Sequence, residues 1–142
     1  MDHLANFFSS LQNAQQKKKP CFSIPFTKIS WQICALLHSE GLLQGFSVNS
    51  THPGDQKSIL LFLKYQQGGS SPLPIIHSIH KISLQGRRVY AKAKDFQKSG
   101  NQKTQFFDSG LYILSTSKGI MSSHDAQFFG IGGEVLCHIR LS

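Results

Sequence analysis

The segment QQGGSSPLP, residues 66–74, interrupts the apolar pattern of the chain near its middle. Glycine, serine and proline at this density are typical of turns and loops, and the segment offers little that could anchor a core. A chain of 142 residues can bury one modest core or two small ones. The segment therefore predicts two small domains, residues 1–66 and 75–142, joined by a linker at residues 67–74.

The first domain is predicted to contain two helices. The first helix has Asp2 as its N-cap and stops at Pro20, and its apolar residues recur at helical spacing. Thr27 is the predicted N-cap of the second helix, which ends at Gly41. The apolar positions of the two helices are Leu4, Phe7, Phe8 and Leu11, and then Ile29, Ile33, Leu36 and Leu37.

Short strands are predicted around and after these helices. CFSIPF is extended, and GFSVNS and SILLFLKY form a hairpin across the turn residues THPGDQ. In the second domain IIHSIHKI, RRVYAKA, LYILS and EVLCHIR are the predicted strands, and a short helix at SHDAQFF ends at Gly130. The predicted fold class is α+β, with an N-terminal helix–strand–helix–hairpin domain and a mainly β C-terminal domain with a short helix.

The charge balance favours a polyanion as the partner. Lys and Arg number 15 against 7 Asp and Glu, so the net charge is +8. No apolar run approaches the roughly 20 residues of a membrane span, and the N-terminal stretch lacks the basic and apolar regions of a secretory signal. Three widely spaced cysteines without a CxxC pair predict neither a metal site nor a cofactor.

Basic residues concentrate in one part of the second domain, where Asp95 is the single acid. They are Lys81, Arg87, Arg88, Lys92, Lys94, Lys98 and Lys103. Tyr90 and Phe96 lie within this run and offer planar faces for stacking on unpaired bases, while arginine guanidinium groups can fork onto phosphates. A solubilising edge strand would explain some of the lysines. It would not explain a neighbouring loop rich in hydroxyl groups.

That loop consists of Ser115, Thr116, Ser117, Lys118 and Gly119. A nucleophile, a phosphate cradle or a surface that reads another polymer could each use it. Ser115 and Lys118 have the S-x-x-K spacing of serine acylases, but the companion S-D-N and K-T-G motifs are missing. The glycines of GIGGE precede a strand, which does not fit a dinucleotide site. Small hydroxyl side chains and exposed amides suit an irregular RNA surface.

Several motifs closely resemble the universal small-subunit ribosomal protein eight family in its bacterial and organellar form. LSTSKGIMS…A…GIGGEVLCHI resembles the C-terminal signature of the family. LANFFSSLQNAQ, IPFTKI, EGLLQGF, LFLKY and SLQGRRVY resemble earlier parts, so that the resemblance spans nearly the whole chain. It implies two small α/β domains and a primary binder of the central domain of small-subunit ribosomal RNA.

The resemblance also implies which residues contact RNA. The loop from Ser115 to Gly119 would read the irregular core of an RNA helix, and Tyr90 and Glu134 would form or brace that surface, next to Arg87 and Arg88. Asn13 and Lys28 match positions of the first domain that face RNA. Three positions depart from the basic residues usual in the family, namely Ser10, Gln12 and Ser30. Fewer basic residues and more phenylalanines favour an organellar line, mitochondrial in preference to plastid, with the bacterial cytoplasm as a further alternative.

The sequence is thus interpreted as a structural ribosomal protein and not as an enzyme. The expected partners are the central domain of small-subunit ribosomal RNA and neighbouring small-subunit proteins, without a membrane or a small-molecule substrate. Two alternatives stay open at this point. One is a free-standing RNA-binding regulator or membrane-surface binder, and the other is a small serine acylase.

Overall fold

The computed structural model describes residues 3–50, 54, 56–69, 71–96 and 110–141. The chain divides into two compact units, an N-terminal unit up to His77 and a C-terminal unit from Ser78 to Leu141. Helices and antiparallel strands occur in the N-terminal unit, and the C-terminal unit is mostly strands. The predicted α+β class is confirmed.

Two helices form the N-terminal unit as predicted. Helix α1 spans His3–Gln16 and helix α2 spans Lys28–Ser39. The N-cap of α2 is Thr27, whose hydroxyl accepts a hydrogen bond from the Ser30 amide at 3.0 Å and donates one to the Ser30 hydroxyl at 2.7 Å. Ser30 is therefore buried as part of a helix cap. The predicted cap Asp2 lies outside the described residues.

A three-stranded antiparallel sheet completes this unit in the order β1–β3–β2. The strands are β1 at Cys21–Pro25, β2 at Leu43–Asn49 and β3 at Ser58–Leu63. Helix α1 contacts β1 and α2 contacts β2, so both helices cover the sheet. The core comprises Phe7, Phe8, Leu11, Ile33, Cys34, Leu37, Leu43, Ile59, Leu61 and Leu63. Ile29, predicted to join the α2 stripe, lies in the first turn of α2 and is 46% exposed instead.

The residues predicted as a linker form a hairpin. Strand β4 at Tyr65–Gly68 pairs antiparallel with β5 at Ser71–Pro74. The hydroxyl of Tyr65 donates a hydrogen bond to the Lys19 carbonyl and ties the hairpin to the end of α1. The segment thus contains two paired strands, and the division between the two units falls between His77 and Ser78, within strand β6 at Ile76–Lys81.

The described residues of the C-terminal unit form a five-stranded sheet, one short α-helix and a 3₁₀ helix. Its strands follow the order β6–β10–β8–β9, and β7 also pairs with β10. These strands are β7 at Tyr90–Ala91, β8 at Leu111–Thr116, β9 at Gly119–Ser122 and β10 at Gly133–Leu141. Helix α3 spans Ser123–Phe129 with Ser122 as N-cap and Gly130, in the left-handed conformation, as C-cap.

Two predictions for this unit are corrected. RRVYAKA forms only the two-residue strand β7, because Ala93–Phe96 turn into a 3₁₀ helix after it. Phe96, predicted as a face for base stacking, packs on Tyr112 at 5.5 Å between ring centroids and belongs to the rim of the core. The core itself consists of Ala91, Tyr112, Leu114, Met121, Ala126 and Val135. The basic residues Lys98 and Lys103 lie outside the described residues, as do three residues of THPGDQ before Gly54.

None of the described helices is long and apolar enough to cross a membrane.

Candidate RNA-binding interface

Pairing of β7, β10 and β8 brings together residues that are far apart in sequence. Glu134 on β10 lies opposite Tyr90 on β7 and opposite Ser115 on β8. Residues directly opposite each other in neighbouring strands present their side chains on the same face of a sheet. The three side chains therefore form a row across the sheet, with Glu134 in the middle. The resemblance had grouped these residues, and the strand register supplies a physical reason for the grouping.

Glycines let these strands approach one another closely. A Cβ atom on Gly133 would lie 2.3 Å from the Ser115 carbonyl oxygen, and one on Gly132 would lie 2.4 Å from the Ala91 carbonyl oxygen. Such distances exclude any larger residue unless the backbone shifts. The GIGGE segment thus ends a helix and admits two neighbouring strands, in agreement with the interpretation that it is not a dinucleotide site.

The hydroxyl-rich segment is the end of a hairpin and not an irregular loop. Ser115 and Thr116 close β8, Ser117 and Lys118 form the turn, and Gly119 opens β9 with φ of +107°. Only glycine adopts this φ readily, so Gly119 is required for the geometry of the turn. Strand β9 was not predicted, because its four residues lack a local strand signal and depend on their pairing with β8.

The hydroxyl groups of this turn have different roles. The Thr116 hydroxyl donates a hydrogen bond to the Gly119 carbonyl at 2.8 Å and accepts one from the Lys118 amide at 3.2 Å. It thereby closes the turn internally. Ser117 is exposed, and its hydroxyl makes no hydrogen bond to the described residues. Ser117 is therefore the hydroxyl of the turn that is free to bind another molecule.

The arrangement of Ser115 and Lys118 does not suit an acylase. The S-x-x-K mechanism places the two side chains one helical turn apart, whereas here the serine lies in a strand and the lysine in a turn. Within the described ranges, no group of His, Cys, Asp and Glu side chains could hold a metal ion.

Positive charge borders the row of Tyr90, Glu134 and Ser115. Arg88 forms an ion pair with Glu134 at 3.3 Å, and both groups are partly exposed. Burial and the positive charge of Arg88 lower the pKa of Lys81, an effect that the nearby Glu134 carboxylate partly offsets. Lys81 ends strand β6, which neighbours β10, the strand that carries Glu134. The sequence placed it in the basic run but not among the RNA-contacting residues, because its neighbours come from a distant strand.

The remaining predicted residues are placed as follows. Tyr90 is 69% exposed, so its ring is available for stacking. Arg87 is exposed in a turn closed by two hydrogen bonds between the backbones of Leu84 and Arg87. Asn13 on α1 and Lys28 at the start of α2 are exposed in the N-terminal unit, where no other predicted site residue lies.

An exposed aromatic pair beside the turn was not singled out from the sequence. Phe128 and Phe129 end α3, and the Lys118 ammonium lies 5.0 Å from the centroid of the Phe129 ring. A seven-residue helix that ends in two consecutive phenylalanines before a glycine is a sequence pattern that predicts an exposed ring. Two adjacent helix positions point about 100° apart, so one short helix rarely buries both rings against a single sheet.

Known proteins resemble this chain over nearly its whole length. The sequence model of the family described as ribosomal protein S8 matches residues 2–140. The chain belongs to the ribosomal protein S8 family.

Members of the S8 family from several bacteria illustrate the similarity. The small ribosomal subunit protein uS8 of Ehrlichia canis is 38% identical over 141 residues, which cover 97% of this chain and 96% of that protein. The uS8 proteins of Prochlorococcus marinus strain MIT 9301 and Rhodospirillum centenum are 36% and 32% identical over 138 residues, with the same coverage. The predicted family resemblance is confirmed.

Membership in the S8 family also decides whether the protein is an enzyme or a structural protein. S8 proteins are structural ribosomal proteins and not enzymes, so the prediction of a non-enzyme is confirmed by the family. The serine acylase alternative is thereby removed.

Proposed function

We propose that this protein is a structural constituent of the small ribosomal subunit that binds the central domain of small-subunit ribosomal RNA. The observation that carries the proposal is the row of Tyr90, Glu134 and Ser115 beside the turn at Ser117 and Lys118. An exposed ring, a free hydroxyl and a turn of backbone amides are the groups that recognise unstacked bases and the 2′-hydroxyl of RNA. The family name of its relatives supports the ribosomal context.

Each residue of the interface has its own role in this proposal. Tyr90 stacks on an unpaired base, Ser115 and Ser117 form hydrogen bonds to base edges or 2′-hydroxyls, and Gly119 allows the backbone to come close. Lys118, Arg87 and Lys81 contact phosphates. Glu134 holds Arg88 in place through the 3.3 Å ion pair. Thr116 acts indirectly, because its hydroxyl is used to close the turn.

The C-terminal domain, residues 75–142, is proposed to carry the main RNA contact. Asn13 and Lys28 are proposed to make a smaller contact from the N-terminal domain, which is weakened where Ser10 and Gln12 replace the usual arginines. Ser10 and Gln12 cannot bind phosphates by charge. Ser30 is buried in the cap of α2 and makes no such contact in any case.

The compartment is a separate part of the proposal. The mitochondrial assignment rests on the loss of basic residues and the gain of phenylalanines. The S8 proteins described above come from bacteria, which fits the bacterial-cytoplasm alternative better than the mitochondrion.

Replacement of Ser117 by Ala tests the RNA proposal, with Thr116→Val as the matched variant. Removing a hydroxyl that binds RNA leaves a partner unsatisfied and costs about 1–3 kcal/mol of binding free energy. We expect Ser117→Ala to weaken binding to an internal-loop RNA from the central domain but not to a fully paired control. Its melting temperature should stay unchanged, because an exposed hydroxyl changes stability by only about ±0.5 kcal/mol.

For Thr116→Val, the loss of stability should be the primary effect and the loss of RNA affinity its consequence. The substitution removes two hydrogen bonds of the turn, so the melting temperature should fall and RNA binding should weaken as a consequence. If Ser117→Ala lost affinity equally for both RNAs, this result would contradict the claim that the turn recognises RNA shape. Sedimentation of the protein with small ribosomal subunits at moderate salt separates a ribosomal constituent from a free-standing regulator.

A further inference from the structure

Two phenylalanine rings at the end of α3 are largely exposed to solvent instead of being packed in the core. Phe128 is 84% exposed and Phe129 is 53% exposed, and their centroids are 5.3 Å apart with the rings nearly perpendicular. Helix α3 is held in place by other groups, namely the buried Ala126 and the caps at Ser122 and Gly130. Neither ring is therefore required to anchor the helix, although leaving apolar rings in water is unfavourable.

The pair lies beside the hydroxyl-rich turn. The Lys118 ammonium is 5.0 Å from the centroid of Phe129, which is within the distance of a cation–π contact. This contact uses one face of Phe129, and the Phe128 ring, which meets Phe129 nearly at a right angle, stays 84% exposed. Ser117, whose hydroxyl is exposed, is the residue that precedes Lys118.

The surroundings of the rings favour a single planar ligand over a protein. Among the residues near the rings in sequence, His124, Asp125, Gly130 and Gly132 are exposed and not apolar, and Ile131 is partly buried against the core, so few apolar side chains extend the exposed rings. A standard protein interface buries about 800 Å² on each partner around an apolar centre. One nucleobase, by contrast, needs one ring for stacking and one nearby cation for its phosphate. Phe128 offers the exposed ring, and Lys118, which contacts the adjacent Phe129, offers the cation.

We infer that Phe128, supported by Phe129, is a stacking platform for an unpaired base of the bound RNA, and that Lys118 holds the phosphate of the same nucleotide. The inference rests on the proposed RNA-binding function and extends its surface from the turn onto α3. Stacking on an aromatic ring tolerates any base, so this contact adds affinity for an unpaired nucleotide without selecting its sequence.

Phe128→Leu in the full-length protein tests the inference, since leucine keeps an apolar side chain but offers no planar face. The matched control is Phe62→Leu, at a phenylalanine of β3 that is 39% exposed in the other unit. Binding is measured to the internal-loop RNA and to the fully paired RNA over a range of salt concentrations. We expect Phe128→Leu to weaken internal-loop binding by about tenfold without changing the salt slope, because stacking neutralises no phosphate.

Two further variants separate stacking from charge. Phe128→Tyr keeps the ring and should bind RNA with the affinity of the unsubstituted protein. Lys118→Gln should flatten the salt slope by about one. In the complex with unsubstituted protein, the protons of one loop base should shift upfield in the NMR spectrum through the ring current of Phe128. This shift should be missing with Phe128→Leu and present with Phe62→Leu.

The possible failures are distinguishable. If the unsubstituted protein does not prefer the internal-loop RNA, the proposed function fails and this inference fails with it. If it does prefer that RNA but Phe128→Leu binds equally well, only the inference is overturned, and another protein is then the better candidate for the exposed rings. Equal weakening by Phe128→Leu and Phe62→Leu would also overturn it.

Discussion

The amide of Gln15 is the least satisfied polar group among the described residues. Its side chain is 1% exposed on α1, and neither its oxygen nor its nitrogen has a hydrogen-bond partner there. A buried polar group without a partner costs about 1–3 kcal/mol. Methionine has a similar length and helix propensity without the polar atoms. We therefore expect Gln15→Met to raise the free energy of unfolding by about 1 kcal/mol in urea denaturation.

The neighbouring Gln16 provides the control for this prediction. It is exposed on the same helix, so Gln16→Met should change stability by no more than about 0.5 kcal/mol. A loss of stability with Gln15→Met would mean that a buried water satisfies the amide and that the position is polar for a structural reason.

The buried thiols predict a loss of stability at alkaline pH. Burial raises the pKa of Cys34 from 9.0 to about 12, and burial also raises the pKa of Cys137, although a hydrogen bond from the Ile113 backbone opposes this effect. Above pH 9 the unfolded chain loses these protons while the folded protein keeps them. Stability is therefore fully present below pH 9 and falls as the pH rises toward 12, by about 1.4 kcal/mol per pH unit for each thiol.

Substitution of Cys34 separates this effect from other alkaline titrations. Cys34→Ala should lower stability at pH 7, because it leaves a small cavity, but it should flatten the decline between pH 10 and 11 by about 1.3 kcal/mol. Chemical denaturation at several pH values measures both quantities. An unchanged slope would show that the Cys34 thiol titrates alike in the folded and unfolded chains.

At the scale of the elements, close packing of β10 against β8 depends on Gly133. A Cβ atom at this position would lie 2.3 Å from the Ser115 carbonyl oxygen, which belongs to the backbone and cannot rotate away. We expect Gly133→Ala to destabilise the protein by at least about 2–3 kcal/mol in thermal or chemical unfolding. The row of Tyr90, Glu134 and Ser115 should be distorted with it, so RNA affinity should fall as well.

Gly45 provides the matched strand glycine for comparison. On β2, a Cβ atom at Gly45 would meet the ring of Phe62 at 3.8 Å, an ordinary van der Waals distance. Gly45→Ala should therefore change stability by less than about 1 kcal/mol. Comparable losses for the two variants would contradict the claim that close strand approach sets the cost at Gly133.

Elements with local signals could be predicted from the sequence, and elements that depend on pairing could not. Thr27 and Gly130 cap their helices as predicted, since capping involves residues within one turn. The β4–β5 hairpin looked like a linker, and β9 looked like a loop, because their stability comes from partner strands. For the same reason the sequence predicted Ser115 to Gly119 as an RNA-binding segment but did not predict that the Thr116 hydroxyl would bond within the turn.

At the scale of the whole molecule, the net charge of +8 does not decide whether RNA affinity depends on the total charge of the protein or on one basic surface. Six basic residues between Lys81 and Lys118 are described, namely Lys81, Arg87, Arg88, Lys92, Lys94 and Lys118. If these six side chains contact phosphates of a duplex-like site, the logarithm of the affinity should fall against the logarithm of salt with a slope of roughly −5. Replacing Arg87 and Arg88 together by Ala should flatten the slope by about two.

The comparison that decides the matter removes the same charge elsewhere. Lys17→Ala combined with Lys19→Ala removes two positive charges from the exposed residues that follow α1 and leaves Lys18, which has a φ of +56°, unchanged. Because a salt slope counts the phosphates that a protein neutralises, this variant should keep the slope of the unsubstituted protein. Equal flattening by the two double variants would mean that net charge drives binding and that the C-terminal surface has no particular part in it. A slope near zero in the unsubstituted protein would mean that the basic residues serve solubility alone.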